Sequence, residues 1–536
     1  MTNDPMEKMI SSAVAEATSG RMSRRRFMEF MTALGLAPVA SSGLWVQAAQ
    51  AAPIRGGNFR VGIHDGNSSD SHDPGTYATR QMVYLAHQYR SYLTLIEPGG
   101  ALGPDLATEW SPNKDATEWT FKLNPRAYFH SGRQVKASDV VASMNFHRGE
   151  KSTSAARDLV RQAVDIVADG DSTVVFKLGA GIADWPWLMT DYHLAICPAK
   201  EDGTIDWESA DGSGPYKIVE GEFGVRWMLT RHDQWHLEGA YFDTVEFLVI
   251  NDDTARQGAL LAGTVDAVSA VGLTTLSSLE KVPGIKIDNV PSAAAITMPM
   301  LCDRKPLDNV DVRNALKYAI DREDIIKRVM RGNATIGNDF HLSPAQPFFP
   351  SSIPQREYDP DRAKSLLKKA GMSKLSIAIS VADSLFPGAT DMCTLYQQHA
   401  KAAGIDITVV REASDGYYSD VWLKKPFCVA SWGARPTADV IFTEAYKSKV
   451  PWNESRWESA QFDKLLLQAK SEIDEAKRAE MYGEMCSIAR DNGGTLIPMF
   501  LNFVYARTSK VKHGEKLAAN WELDGARGPS RWWFAA

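Results

Sequence analysis

The segment around residues 375–410 places the strictest limit on how this chain can fold. LSIAISV (375–381) and IDITVV (405–410) have the pattern of strands, and the residues near 388–403 between them have the pattern of a helix. A strand, a helix and a second strand in this order form a β-α-β unit with parallel strands and a right-handed crossover. The sequence therefore predicts an α/β fold.

Strand signals also occur in the first half of the chain. GGNFRVGI (56–63) predicts an opening strand. WTFKLN (119–124), STVVFKL (172–178) and DTVEFLVI (243–250) alternate apolar and polar residues, which is the period of a half-buried strand.

The second half of the chain contains the clearer helix signals. Residues 311–330 form one apolar helical stripe that is followed by Gly332, and Asp359 precedes Pro360 as an N-cap before a first-turn proline. FCVASW (427–432) is strand-like, and 459–491 is a long amphipathic stretch. Residues 296–494 are therefore expected to form an α/β lobe with a doubly wound sheet.

Charge and cysteine content exclude some classes of protein. The formal net charge is −7, and no long Lys/Arg run lies outside the N-terminus, so no nucleic-acid partner is expected. The five cysteines are far apart and form no CxxC pair, which argues against a zinc ribbon or a thioredoxin-like site. One disulfide is possible, and the odd number leaves at least one thiol free.

Residues 1–51 are interpreted as an export signal. SRRRF (23–27) precedes the apolar stretch 30–46, and Ala49-Gln50-Ala51 offers a small-residue cleavage site. The paired arginines resemble a twin-arginine signal, although Met28 and Glu29 depart from its usual pattern. A plain secretory signal and an uncleaved anchor remain alternatives. The mature chain is expected in the periplasm.

Six segments in order resemble the peptide/nickel-type extracellular solute-binding proteins of ABC importers. Each contains turns, caps and core stripes that identify a fold more than a ligand. The segments are PDLATEW (104–110) with WTFKLNPRAYFHSGRQVKASDVVASM (119–144), GSGPYKI (212–218), LLAGTVDAV (260–268), PLDNVDVRNALKYAIDREDI (306–325), YDPDRAKSLLKKAG (358–371) and FDKLLLQAKSEIDEAKRAEMY (462–482). Within residues 119–144, Ser138 or Asp139 is expected to cap a helix.

The resemblance implies a two-lobed periplasmic-binding-protein fold of the large type, with an extra subdomain and a hinge between the lobes. It assigns 53–85, 212–295 and 495–536 to lobe I, 86–211 to the extra subdomain of lobe I, and 296–494 to lobe II. It also implies a monomer that captures a small peptide-like solute and delivers it to an ABC permease and its ATPase. No enzymatic activity, no cofactor and no metal are expected.

The loop SWGARPTAD (431–439) is the first candidate ligand site, because ligands of open α/β sheets bind outside the carboxyl ends of strands. In related peptide binders the loop carries a Trp and, three residues later, an Asp for the peptide's amino terminus. Here Trp432 is followed by Arg435, which favours a carboxylate or phosphate. Trp432 is either a stacking wall or a core residue. Arg435 contacts an anionic ligand group, pairs with Asp439, or is solvated.

The loop at residues 67–82 resembles a cleft-facing loop of the same family. Tyr77 and Arg80 are therefore further candidate ligand-binding residues, while His72 is expected in a surface turn. Trp185 and Trp187 could shape the cleft, but a core position is favoured for both.

A secreted enzyme and a binder of another cargo are the two main alternatives to peptide capture. A secreted enzyme would need a recognisable motif, and the sequence contains no GxSxG, HExxH or GxxxxGK[ST]. His232 and His236 could hold a metal only if they were helical. A binder of the same fold with another cargo, such as an opine, an oligosaccharide, a metal chelate or haem, is the stronger alternative, because a fold does not fix a function.

Overall fold

The computed structural model describes residues 9–10, 12–13, 22, 24–34 and 53–535. Within the predicted signal segment, Arg24–Ala33 is a helix. Ser23 and the predicted cleavage site Ala49-Gln50-Ala51 lie outside the described residues. Across the described part of the chain, no helix combines the length and the hydropathy that a bilayer crossing requires.

A nine-stranded sheet runs through the molecule. The strands Asn58–Ile63, Thr244–Val249 and Ala267–Val268 are parallel, and the other pairings are antiparallel. In spatial order the sheet contains Ala430–Trp432, Ile285–Pro299, Thr495–Thr508, Ala267–Val268, Asn58–Ile63, Thr244–Val249, Arg226–Arg231 and Tyr216–Glu222, and Ala334–Ile336 also pairs with Thr495–Thr508. A hydrophobic core packs against this sheet and is called here the large-sheet core. Its buried side chains come from sequence positions between Phe59 and Trp532.

Two long strands of this sheet connect the halves of the molecule. Ile285–Pro299 and Thr495–Thr508 pair along their whole lengths. The register shifts between Pro291 and Ala294 and again between Ile296 and Met298. Such bulges bend and twist the paired strands. The predicted lobe boundaries at 295/296 and 494/495 fall on this crossing pair.

A four-stranded antiparallel sheet forms a separate layer, called here the small antiparallel unit. Its strand order is Ala107–Pro112, Glu118–Leu123, Thr173–Leu178 and Ala163–Asp169. Alternate side chains of the two central strands are buried, as their period predicts. The helix Ala137–Arg148 packs on this sheet. The N-cap residue is Lys136, and its backbone N–H donates to the carboxylate of Asp139 in the first turn at 2.8 Å.

Two large core clusters lie between residues 295 and 500 and form the C-terminal unit. Here Leu375–Val381 and Ile405–Arg411 pair in parallel across the helix Ala389–Lys401, which confirms the predicted β-α-β unit. The predicted doubly wound sheet is smaller than expected. Within the described residues this parallel sheet has two strands, because the strand Ala430–Trp432 pairs antiparallel with Ile285–Pro299 instead.

Two predicted helical stretches are each divided in the structure. The stretch 311–330 forms Val310–Tyr318 and Arg322–Arg328, because the Asp321 carboxylate accepts from the N–H of Asp324 at 2.9 Å and caps a new helix. The stretch 459–491 forms Ala460–Ser471 and Glu475–Asn492, with Asp474 as the second N-cap.

The other elements complete the described chain. Short strand pairs are Thr94–Ile96 with Leu102–Pro104, and Val511–Lys512 with Trp533–Phe534. The further helices are Arg80–Tyr89, Arg157–Val160, Trp185–Leu188, Asp253–Leu261, Leu273–Leu279, Pro360–Lys369, Tyr417–Asp420, Ala438–Ala445, Glu522–Gly525 and Gly528–Arg531, with a single 3-10 turn at Pro74–Thr76. All five cysteines are free thiols, so the possible disulfide is not formed.

The small antiparallel unit contacts the C-terminal unit directly. The backbone N–H of Ala183 donates to the carbonyl of Lys470 at 2.8 Å. Asp184 and Arg478 form a buried ion pair beside this contact. The two units therefore also touch through residues that do not belong to the crossing strands.

Candidate functional site

A solvent-accessible cavity lies where the large sheet, the small antiparallel unit and the C-terminal unit meet, and the empty space in it is about 840 Å³ when the adjoining open solvent is included. Every part of the fold supplies some of its wall. The lining residues are Ile96, Gly100, Trp187, Thr190, Asp191, Tyr192, Ala293, Ala345, Gln346, Pro347, Ala434, Arg435, Pro436, Ala519, Asn520 and Trp521. Ala293 belongs to the bulged segment of the crossing strands, so the cavity borders the connection between the halves of the molecule.

The cavity continues into a wider space between the small antiparallel unit and the C-terminal unit, which measures about 1520 Å³ when open solvent is included. Trp187 and residues 345–347 line both spaces. The wider space extends to Arg478, at the contact between these two units. Together they form a groove with room for a solute larger than one amino acid.

Three aromatic side chains form much of the cavity wall. Tyr192 contacts Trp521 edge to face, with 5.4 Å between ring centroids. The Arg80 guanidinium lies 4.6 Å from the Trp521 ring centroid and is paired with Glu522 at 3.3 Å. Burial raises the pKa of Tyr192 to about 12, so its hydroxyl is neutral and available for hydrogen bonding at neutral pH. Trp187 completes the set.

Arg435 lines the cavity with part of its bonding capacity already used. Its Nε donates to Glu444 Oε2 at 2.7 Å, and its Nη1 donates to the carbonyl of Gly433 at 3.3 Å. The predicted alternative partner, Asp439, is not the one it has. Because a guanidinium has five N–H donors, Arg435 retains donors for an anionic group.

Trp432 is a core residue that also borders a second pocket. It is 5% exposed, and its indole N–H donates to Glu454 Oε2 at 2.9 Å. Trp422 donates to the same oxygen at 3.0 Å, and burial raises the pKa of the Glu454 carboxyl. The second pocket, of about 630 Å³ including open solvent, is also lined by Tyr418 and Trp452 and shares Arg435 with the first. Both alternatives considered for Trp432 therefore describe part of its position.

Asp439 lies in the first turn of the helix Ala438–Ala445 and faces the contact between units instead of the cavity. Its side chain is 8% exposed and lies 3.7 Å from the Lys470 ammonium group. Burial raises the pKa of its carboxyl to about 6, Lys470 and Arg478 oppose this rise, and Asp184 adds to it.

The two candidates from the loop at residues 67–82 lie behind the cavity wall. Tyr77 is 2% exposed, because its ring packs in the large-sheet core and its hydroxyl is 3.0 Å from the Tyr89 hydroxyl. Its carbonyl oxygen is 2.8 Å from His193 Nε2. Arg80 supports Trp521 through the stacking described above. Neither side chain is among those that line the cavity.

The contacts of His72, Trp185 and Trp187 show where these three ring side chains lie. His72 is not a surface-turn residue, because it packs edge to face against Tyr89, Phe223 and Trp227, and burial lowers its pKa to about 4. Trp185 is fully buried in the core of the small antiparallel unit, as favoured, whereas Trp187 lines the cavity.

Several cavity residues were not found from the sequence. Asp191, Tyr192, Gln346, Asn520 and Trp521 all lie in irregular segments. Their only local signal is that residues 190–192 follow the Trp-Pro-Trp segment, which had been considered for the cleft. Asn520 and Trp521 come from the last part of the chain, so no local pattern could join them to residue 191.

The described residues offer no clear place for a metal ion. None of them forms a group of three or more His, Cys, Asp or Glu side chains suited to hold a metal. His232 and His236 have separate partners, since His232 Nδ1 is 3.2 Å from the Gly214 carbonyl and His236 Nε2 is 2.9 Å from Asp105 Oδ1.

Comparison with known proteins gives concordant results. The family model of bacterial extracellular solute-binding proteins, family 5 middle, matches residues 101–454. A probable D,D-dipeptide-binding periplasmic protein of Escherichia coli is 23% identical over 424 residues, covering 76% of this chain and 81% of the relative. The nickel-binding periplasmic protein of the same organism is 22% identical over 376 residues, covering 65% and 70%.

A solved structure shows the same fold. The ABC transporter-associated periplasmic binding protein of Helicobacter pylori, in complex with the peptide STSA, superposes with a TM-score of 0.68 at 21% identity. The match covers 92% of this chain and 100% of that chain. The chain thus has the two-lobed α/β fold of the periplasmic binding proteins.

Proposed function

Because the chain belongs to family 5 of the bacterial extracellular solute-binding proteins, we infer that it is the substrate-binding component of an ABC importer. It captures a peptide or a peptide-like solute in the cleft between its lobes and delivers it to a membrane permease driven by a separate ATPase. The family is a solute-binding one, and binding is the only activity proposed for this chain.

The observation that carries this function is the composition of the cavity wall. A solute in the cavity contacts the small antiparallel unit through Trp187 and Asp191 and the C-terminal unit through Arg435. It also contacts Trp521, which packs against the large-sheet core. Binding energy therefore favours the conformation in which these parts are together. A permease that recognises that conformation would distinguish the loaded protein from the empty one.

We assign the parts of the fold to the lobes as the sequence suggested. Lobe I comprises 53–85, 212–295 and 495–536, the extra subdomain 86–211, and lobe II 296–494. The separate hydrophobic cores support this division, although the helix Arg80–Tyr89 packs as a whole into the large-sheet core and crosses residue 86. The bulged strands Ile285–Pro299 and Thr495–Thr508 are the proposed hinge.

The groove favours a peptide-sized cargo. The cavity and its wider continuation offer space for several residues, and aromatic walls suit both apolar side chains and the planar peptide groups. Arg435 is the proposed contact for a carboxylate of the solute, and Trp432 supports the loop that carries it. Closure buries such a charge, which requires a paired partner.

The proposed location is the periplasm, where the E. coli relatives named above are found according to their names. Export through a twin-arginine-type signal in residues 1–51 rests on the sequence pattern. We propose that the protein acts as a monomer until it meets its permease.

The test is a thermal-shift screen of the mature chain from about residue 52, because a solute that binds only the folded state raises the melting temperature. Di- to pentapeptides are compared with opines, oligosaccharides, haem and metal chelates. Stabilisation by peptides supports the proposal, and stabilisation by one of the other classes alone would replace the cargo. Arg435→Ala should weaken binding of the stabilising solute, and unchanged affinity would remove Arg435 from the site.

A further inference from the structure

We propose that Asp191 receives the ammonium group of the captured solute, with the aromatic rings of Trp187 and Tyr192 beside it. This inference rests on the function proposed above, because it specifies the charge of a solute held in the same cavity. It adds a specificity-determining residue that the sequence did not reveal.

The cavity wall carries one charged group of each sign. Among the described residues that line the cavity, Asp191 is the only carboxylate and Arg435 the only cation. Arg435 is already paired with Glu444 at 2.7 Å. A cationic group enclosed in this cavity therefore has a single anionic partner available to it, and a buried charge without a partner is costly.

The two oxygens of the Asp191 carboxylate differ in their contacts. Its Oδ1 accepts from the backbone N–H of His193 at 2.9 Å and is 2.7 Å from the ring Nδ1 of the same residue. Its Oδ2 has no hydrogen-bond partner within the described part of the chain, and the side chain is 27% exposed. One oxygen is thus fixed, while the other remains free to accept from a solute.

His193 holds the Asp191 carboxylate in place from behind the cavity wall, where its side chain is nearly buried. Its Nε2 is 2.8 Å from the carbonyl oxygen of Tyr77, and its Nδ1 faces Asp191 Oδ1. The ring therefore lies between two fixed acceptor groups, and Asp191 Oδ1 is held by both the backbone and the ring of His193.

The neighbouring aromatic rings add to the attraction for a cation. Trp187 and Tyr192 line the same cavity, and aromatic faces attract an ammonium group. A carboxylate beside aromatic rings suits the amino terminus of a peptide or another alkylammonium group better than it suits a neutral sugar.

The experiment compares each protein with paired ligands. The full mature chain and its Asp191→Asn variant are titrated by calorimetry with di- to pentapeptides and with des-amino analogues, in which hydrogen replaces the amino group. Asp171→Asn, an exposed aspartate of the same unit that is paired with Lys136, is the matched control. Asp191→Glu retains the charge and serves as the second variant if the asparagine variant does not fold.

We expect the wild type and the Asp171→Asn control to bind the free-amino peptides about tenfold to a hundredfold more tightly than the des-amino analogues. Asp191→Asn should lose most of this preference, whereas Asp191→Glu should keep part of it. A purely structural role for Asp191 would weaken both ligands of a pair equally.

Two results would overturn the inference while leaving peptide capture intact. One is a wild type that binds both ligands of a pair equally, and the other is an asparagine variant that keeps the full preference. If no peptide binds the wild type, both the peptide cargo and the assignment of Asp191 fail.

Discussion

The carboxyl group of Asp439 makes the stability of this protein depend on pH in an unusual direction. Its side chain is 8% exposed at the contact between the small antiparallel unit and the C-terminal unit. Burial raises its pKa from the ordinary value of 3.8 to about 6, even though the Lys470 ammonium lies 3.7 Å away. Lys470, Asp184 and Arg478 are the charged groups that face it.

The sign and size of the effect follow from proton linkage. Because the pKa is higher in the folded state, the folded chain holds this proton more tightly than the unfolded chain does between about pH 4 and pH 6. The free energy of unfolding from this group therefore increases as the pH falls through that window, and this gain is lost as the pH rises through 6. Two pKa units correspond to about 3 kcal/mol, which is an upper value for a single group.

The perturbation that isolates this group is Asp439→Asn, which keeps the shape and removes the titration. Denaturant unfolding of the wild type and the variant is measured from pH 4 to pH 7.5, so that groups common to both proteins cancel in the difference. The free energy of unfolding of the variant minus that of the wild type should be up to about 3 kcal/mol larger at pH 7.5 than at pH 4. Asp361→Asn, an exposed residue of the same unit, is the control. A difference that is constant across the range would refute the reasoning.

Substitutions at four further positions test the packing of the fold. Glu454→Leu removes the acceptor shared by two tryptophans and should lower the free energy of unfolding by about 2–3 kcal/mol, while Glu454→Gln should lower it less. Denaturation curves of the leucine variant and the wild type that coincide would contradict this. Arg478→Ala leaves Asp184 buried without its partner and should cost about 3–5 kcal/mol, with partial recovery in the double variant with Asp184→Asn. Gly212→Ala puts a Cβ 1.7 Å from a backbone oxygen and should lower the free energy of unfolding by about 3 kcal/mol or more. Gly258→Ala lies inside a helix, where the new Cβ meets no atom within 4 Å, and should raise the free energy of unfolding by about 1 kcal/mol, measured by thermal unfolding.

The secondary structure was largely readable because its signals are local. The strands Glu118–Leu123 and Thr173–Leu178 lie within one residue of their predicted ends, since alternating burial is written directly in their residue types. The helix Pro360–Lys369 begins after its predicted cap. The division of 311–330 at Asp321 was missed, because an internal aspartate can cap a new helix or lie on the surface of one continuous helix.

The site was readable only in part. The sequence identified the loop that carries Arg435, but it could not tell that Glu444 instead of Asp439 would pair with it. Both acids lie in the same helix, and the choice depends on which side of that helix faces Lys470. The sequence suggested that Tyr77 contacts the ligand, but in the structure Tyr77 lies behind the cavity wall and contacts His193. No local residue pattern distinguishes a side chain in the wall from one directly behind it.

The sequence by itself determined the family, the α/β class and most strands and helices, because periodicity, caps and turn residues act over a few neighbouring positions. The tertiary structure alone decided which side chains share the cavity. Its wall joins residues from Ile96 to Trp521, and their meeting depends on how separate cores pack against one another across the crossing strands. Such packing is set by the burial of whole faces, so Asp191, Trp521 and Arg435 become one site only in the folded chain.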